Sequence, residues 1–219
     1  MSSRLREAWT TLIRAEDYEA HMAAVGQAQA NAKLVVEYLA AQPPGTGASL
    51  LFLGAGTGQM FDFVSPTILL PYQTTFADIN ATYLQSLAER LREVEGLRYT
   101  TVVDDVEKTS LIPGFDIVLA VLLLEHVHWR KAVSTIAALA GQRAFVVIQE
   151  NPGTLATAIT PSGEIPGTMK IFAEVHPTLI PRDELVAEFA LRDFALNYSA
   201  EKNVADGKKM LALGFARVS

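Results

Sequence analysis

The chain has 219 residues, 50% of them hydrophobic and 19% charged, with a formal net charge of −6 and no cysteine. That is enough apolar material for one core of ordinary domain size, and it excludes disulfides and thiolate metal sites. The acidic balance argues against tracking a phosphate backbone, which needs clustered Lys and Arg, so small molecules rather than nucleic acid are the expected partners.

The start, MSSRLREAWT, is charged and no apolar stretch follows it; no secretory signal is read there, and a cytoplasmic protein is expected. Residues 3–41 read as helix in two pieces, with Met22, Val25, Leu34, Val35, Tyr38 and Leu39 at helical spacing. QPPGTGAS at 42–49 ends that region in a loop. LLFL at 50–53 is a short apolar strand, 58–65 opens a helix, and QTTFA at 73–77 is a second strand. Over 81–94, Leu84, Leu87, Ala88, Leu91 and Val94 share one helical face, closed by Gly96. LRYTTVV (97–103) and FDIVLAV (115–121) are the third and fourth strands. The apolar run IVLAVLLL at 117–124 has eight residues, against roughly 20 for a membrane span, so it is a buried strand and no membrane partner is expected. WRKAVSTIAALA (129–140) is a helix stopped by Gly141, and RAFVVIQ (143–149) is a fifth strand. Gly, Pro and Thr crowd 153–180, which reads as a loop or lid. PRDELVAEF (181–189) is a helix, and DFALNYSAEKN and KKMLALGFARV are strands joined by VADG into an antiparallel hairpin at the sheet edge.

Strands alternating with helices predict an α/β fold: a doubly wound, Rossmann-like, mostly parallel seven-stranded sheet with an antiparallel C-terminal hairpin and an N-terminal helical extension. Residues 1–47 form the helical cap and 48–219 the α/β part, as one structural domain overall.

The stretch SLLFLGAGTGQM (49–60) carries Gly54, Gly56 and Gly58 straight after the first strand. A strand, a glycine turn and a helix bring backbone N–H groups against a ligand. The dinucleotide pattern G-x-G-x-x-G fails at Gln59, and no Gly-Lys-Ser/Thr follows to make a nucleoside-triphosphate loop. Asp78 ends the second strand, 24 residues after Gly54, where a carboxylate accepts hydrogen bonds from both hydroxyls of a ribose. Asp105 is next in the row of strand ends, so loop, Asp78 and Asp105 converge on one nucleoside.

Taken together, LLFLGAGTG, FADIN, VDDVEKTSLIPGFDIVLAVLLLEHV and AFVVIQENP resemble the class I S-adenosylmethionine-dependent methyltransferases, most of all their small-molecule branch. The match runs over roughly 48–150. The resemblance implies S-adenosyl-L-methionine as cofactor and S-adenosyl-L-homocysteine as product. It implies that the turn Gly54, Ala55, Gly56 to Gly58 meets the methionyl and ribose part, Asp78 the ribose diol and Ile79 the adenine. Asp105 would bond the adenine amino group, the Val106 N–H a ring nitrogen, and Ala120 and Val121 would lie near the sulfonium. The family usually has an acid two residues before the first glycine; here Phe52 stands there, which leaves Gln59 or the N-terminal helix to anchor the amino group.

Methyl transfer mainly needs an aligned nucleophile and a dry site, with a base where the acceptor arrives protonated. His126, in LLLEHVHW just past the fourth strand, is the candidate base; the plain alternative is a helix-start histidine bonded to backbone or a neighbouring carboxylate. Glu125 divides between the pocket and a solvated helix start, and His128 is a surface residue. Tyr18, His21 and Glu150 are candidate acceptor contacts, against the plain reading of scattered polar positions. Asn151 is explained equally by turn formation at ENPG, and His176 sits in the lid. Of the pair Asp104 and Asp105, one faces the cofactor and the other solvent. The histidines lack metal-ligand spacing, so no metal is expected. The predicted function is methyl transfer to O, N or C of a small molecule. A non-catalytic S-adenosylmethionine-binding or partner-binding protein of the same fold and an NAD-dependent oxidoreductase remain as alternatives, and oligomeric state is unreadable.

Overall fold

Alternation of apolar side chains builds the central sheet. Along β1 (Ala48–Leu53), Leu50 and Phe52 enter one hydrophobic layer while Leu51 and Leu53 enter the other, as a strand buried on both faces requires. The structure, a computed structural model, describes residues 2–43, 45, 47–153, 165, 167–174 and 177–218. Positions 44 and 46 of the 42–49 loop, and 154–164, 166, 175 and 176 of the 153–180 lid, His176 among them, lie outside the described residues.

β2 (Tyr72–Asp78), β4 (Phe115–Val121), β3 (Tyr99–Val103) and β5 (Ala140–Glu150) run parallel to β1. β7 (Lys209–Arg217) lies antiparallel between β5 and β6 (Phe194–Asn203). The order across the sheet is β3-β2-β1-β4-β5-β7-β6. The predicted sheet and its hairpin are thus present. The hairpin turn puts Asp206 and Gly207 at φ 58° and 67°, the left-handed backbone that an Asp-Gly turn supplies. Strand order reverses between β1 and β4, the place where open α/β sheets leave a crevice beyond the carboxyl ends.

Helices cover both faces. On one, α3 (Gln27–Ala41) and α4 (Ala81–Leu91) bury Leu34, Val35, Tyr38, Leu84 and Leu87 against Leu50, Phe52, Phe76 and Leu119. On the other, α5 (Trp129–Leu139) and α6 (Arg182–Ala190) bury Val133, Ile136, Leu185 and Phe189 against Leu51, Val118, Val146 and Leu213.

Three readings need correction. The N-terminal region is not two helical pieces: α1 (Ser3–Glu7), a π-helical turn (Ala8–Leu12) and α2 (Ala15–Ala24) precede α3, with breaks at extended Ile13 and at Gly26, φ 75°. The helix expected to open at 58–65 is absent; two 3-10 turns, Gln59–Asp62 and Pro66–Leu69, take its place. Pro66 has no N–H and holds Ser65 in extended backbone, so no helix runs through it. Gly141 does not stop α5, which ends at Leu139; the glycine already lies in β5. Among the described residues no helix is long and apolar enough to cross a membrane.

Candidate active site

The glycine turn holds its shape for reasons internal to the protein. Gly54, Gly56 and Gly58 have φ of 65°, 59° and 72°, where any Cβ is strained. A Cβ on Gly54 would come within 2.9 Å of the Leu123 side chain, and one on Gly58 within 3.0 Å of Leu87, whereas at Gly56 the nearest atom belongs to Tyr18 at 3.9 Å. The outer glycines therefore admit leucines, and the middle one lies under the Tyr18 ring. The Gly56 N–H donates to Asp78 Oδ2 at 2.8 Å, and Arg90 donates to the Thr57 carbonyl at 2.6 Å while pairing with Glu19 and Asp62.

A first cavity opens beyond β1, β2 and β4, lined by Gly54, Gly56, Asp78, Ile79, Asp105, Val106 and Val121, with Trp9, Tyr18 and His126. Both Asp78 oxygens already accept backbone N–H groups, from Gly56 and, at 2.8 Å, from Asn80. Burial nevertheless pushes this carboxyl above the ordinary aspartate value, more than those donors pull it down. Asp105 accepts the Glu107 N–H at 2.9 Å and pairs with Arg6 of α1, whose guanidinium also approaches Glu107 at 3.6 Å. Asp104 is not on the solvent side. It is buried, accepts the Ser110 N–H at 2.8 Å through Oδ1, lines the same cavity, and leaves Oδ2 without a partner among the described residues. Strand alternation misplaced it because β3 ends at Val103 and the chain turns before the two acids.

A second cavity adjoins the first and shares Trp9, Tyr18, Leu122 and His126 with it. Leu122, just past β4, has φ 50°, an uncommon value for a branched residue and one that concentrates at functional sites. It leads into the 3-10 turn Leu124–His126. Glu125 is 3% exposed; Oε1 accepts the Gln149 N–H at 2.7 Å and Oε2 has no partner among the described residues. Burial lifts its carboxyl to about 7, so the solvated helix-start reading gives way to the pocket. His126 stands with its ring 4.7 Å from that of Trp9 and 5.8 Å from Phe172, and Nδ1 has no partner among the described residues. Burial pulls its imidazole down to about 4, which keeps it neutral at physiological pH. The Trp9 indole N–H likewise has no partner among the described residues.

His21, Met22, Met169 and Phe172 complete that wall. Burial and the charge of Lys208 lower the His21 pKa. Gln27 of α3 and Gln149 of β5, joined by a 2.7 Å hydrogen bond, also line it. Neither is singled out by the sequence, where the one available signal was a polar residue inside an apolar strand. Asn151 accepts from the Gln149 side chain at 2.8 Å. His128 is exposed. Ala120 is sealed in the core, and Glu150, half-buried at the end of β5, lines none of these three cavities.

A third cavity lies on the other side of the glycine turn, against Phe52, Ala55, Thr57, Gly58 and α3. Phe52 points into the core and packs on Phe76 at 5.1 Å between ring centroids. Gln59 does not face this space freely, since its amide donates to the Glu19 carbonyl at 2.8 Å.

Residues 50–141 match the family described as a methyltransferase domain. No curated protein sequence matches the chain. Among solved structures, magnesium protoporphyrin IX methyltransferase from Synechocystis PCC 6803 with bound S-adenosylmethionine superposes with a TM-score of 0.64 at 16% identity, over 85% of this chain and 77% of that one. Geranyl diphosphate C-methyltransferase from Streptomyces coelicolor A3(2) gives 0.62 at 12% identity, over 84% and 78%. An N-methyltransferase from Bradyrhizobium japonicum WM9, in complex with S-adenosylhomocysteine, gives 0.59 at 12% identity, over 86% of each.

Proposed function

We propose that the protein is an S-adenosylmethionine-dependent methyltransferase of the small-molecule type, a reading supported by the match of residues 50–141 to a methyltransferase domain and by the strand order of the sheet. The first cavity holds the nucleoside and the second the acceptor, with the segment before α3 as their cap and 48–219 as the cofactor-binding unit. The observation that carries this reading is the row of acids Asp78, Asp104 and Asp105 across the ends of β2 and β3, one of them with an unpartnered, buried oxygen. Such a row suits a ligand rich in donors, as a ribose diol and an adenine amino group are.

When bound, the cofactor supplies a methyl group already activated by positive sulfur. The residues of this chain bind, orient and keep water out. Asp78, fixed by the Gly56 and Asn80 N–H groups, accepts from the ribose. Asp104 and Asp105 serve the adenine edge, with Ile79 and Val106 against the ring. Trp9, Tyr18 and Phe172 shield the boundary between the cavities, and neutral His126 takes the acceptor's proton at Nδ1 with Glu125 beside it. Positioning of this kind is worth about 7–11 kcal/mol in favourable cases. The acceptor is a small molecule, with O, N or C as the receiving atom.

Calorimetric titration with S-adenosylhomocysteine tests the reading. The wild type binds, and Asp78→Ala weakens binding by about 1–3 kcal/mol, the range for a lost hydrogen bond to a charged group. Absence of binding in the wild type would end it, and binding without methylation of any component of a small-metabolite extract would favour the non-catalytic alternative, for which Phe52 speaks.

A further inference from the structure

The third cavity holds an unanswered pair of polar atoms. Asn31 is 6% exposed and Thr57 1% exposed, and both line this cavity. Neither the Asn31 Oδ1 nor the Thr57 hydroxyl has a hydrogen-bond partner among the described residues. Leaving a buried polar atom unpaired costs about 1–3 kcal/mol, so two at one cavity beside a glycine turn call for a polar ligand there. Ala28, Asn31 and Val35 recur at helical spacing on the face of α3 that lines the space. Asn31 is therefore presented by a rigid element packed on the sheet, not by a loop. Across the cavity stands Phe52, committed to the core and unable to offer an oxygen.

We propose that this cavity takes a zwitterionic amino-acid group, and that Asn31 is its anchor: the amide oxygen accepts from the ammonium while the Thr57 hydroxyl donates to the carboxylate. The inference rests on the cofactor reading above, with the methionyl end of S-adenosylmethionine as the group held. Asn31 then does with a neutral amide what a carboxylate at position 52 would have done with a charge. The arrangement follows from the swap at Phe52. With an aromatic ring on the β1 side, Asn31 of α3 offers this cavity an amide acceptor that has no partner among the described residues, and an amide there avoids an unpaired buried carboxylate when the cavity holds no ligand.

The test compares two ligands that share the nucleoside and sulfur: S-adenosylhomocysteine, which carries the amino-acid end, and 5′-methylthioadenosine, which lacks it. Calorimetry on Asn31→Leu, close in volume and without a polar atom, is expected to show S-adenosylhomocysteine binding weakened roughly tenfold or more and 5′-methylthioadenosine binding unchanged. Asn31→Asp, which keeps an acceptor at the same point, should bind S-adenosylhomocysteine within a few-fold of wild type. Unchanged S-adenosylhomocysteine affinity in Asn31→Leu, equal losses for both ligands, or an equal loss in Asn31→Asp would each overturn the assignment while leaving the nucleoside site standing. A wild type that binds neither ligand would instead remove the cofactor reading and this inference with it.

Discussion

Glu125→Gln should make the protein more stable at alkaline pH and change little at acid pH. Glu125 is 3% exposed, with one oxygen bonded to the Gln149 N–H and the other without a partner among the described residues. Burial lifts its carboxyl from the ordinary 4.5 to about 7. A group whose folded pKa is raised contributes stability that is complete below 4.5 and drains away as pH climbs through about 7. At about 1.4 kcal/mol per pH unit, the full loss is about 3 kcal/mol. Glutamine keeps the acceptor for Gln149 and has no charge to bury, so it escapes that loss. For a domain of this size, about 3 kcal/mol corresponds to roughly 6–12 °C in Tm. Thermal unfolding of both proteins followed by circular dichroism from pH 5 to pH 9 measures it: the Tm difference, Gln minus Glu, should be small at pH 5 and grow to its plateau above pH 8. A difference that stays flat across this range, or shrinks as pH rises, would refute the claim that the carboxylate is held in a dry setting.

His126→Ala should abolish turnover in a methylation assay while S-adenosylhomocysteine affinity stays within a few-fold, since the ring borders both cavities and its Nδ1 has no partner among the described residues; full turnover would return it to a packing role. Gly58→Ala should cost about 2 kcal/mol in urea unfolding, from a φ of 72° and a Cβ only 3.0 Å from Leu87, and an unchanged midpoint would mean that the turn relaxes freely. Arg6→Ala removes the ion pairs to Asp105 and Glu107, so amide exchange over residues 3–13 should accelerate several-fold with global stability nearly unaltered; unchanged exchange would show that apolar packing of Leu5, Ala8 and Ile13 holds that segment by itself.

The sheet was legible because its strands are written twice, in apolar content and in the turns that bound them. FDIVLAV and RAFVVIQ have few polar residues to suggest anything else, and the Asp-Gly turn dictates its hairpin. What failed was local competition and distance. Pro66 outweighed the habit that a helix follows a glycine turn, and the end of β3 one residue before Asp104 defeated an alternation argument. The walls of the cavities were largely illegible. Trp9 and Asn31 become neighbours of His126 or of the glycine turn only through the crossing of the first three helices, and nothing in the spacing of Trp9 and His126 announces that two rings 117 positions apart in the chain stand 4.7 Å from each other. Asp78 was easier, because a strand's end and its distance from the first glycine are both properties of a short stretch.

Trp9 forms part of the wall of two compartments at once. A side chain used in that way cannot be reshaped for one tenant alone: shaving the indole to widen the second cavity also strips cover from the first. If the cavities hold the occupants proposed above, selection for a new acceptor at this position would register in the grip on the methyl donor, and by thermodynamic reciprocity each occupant would alter the other's affinity. The economical escape is to change Met22, Met169 or Phe172, which border the second cavity and not the first, and evolutionary retuning of what the second cavity accepts should be sought there first.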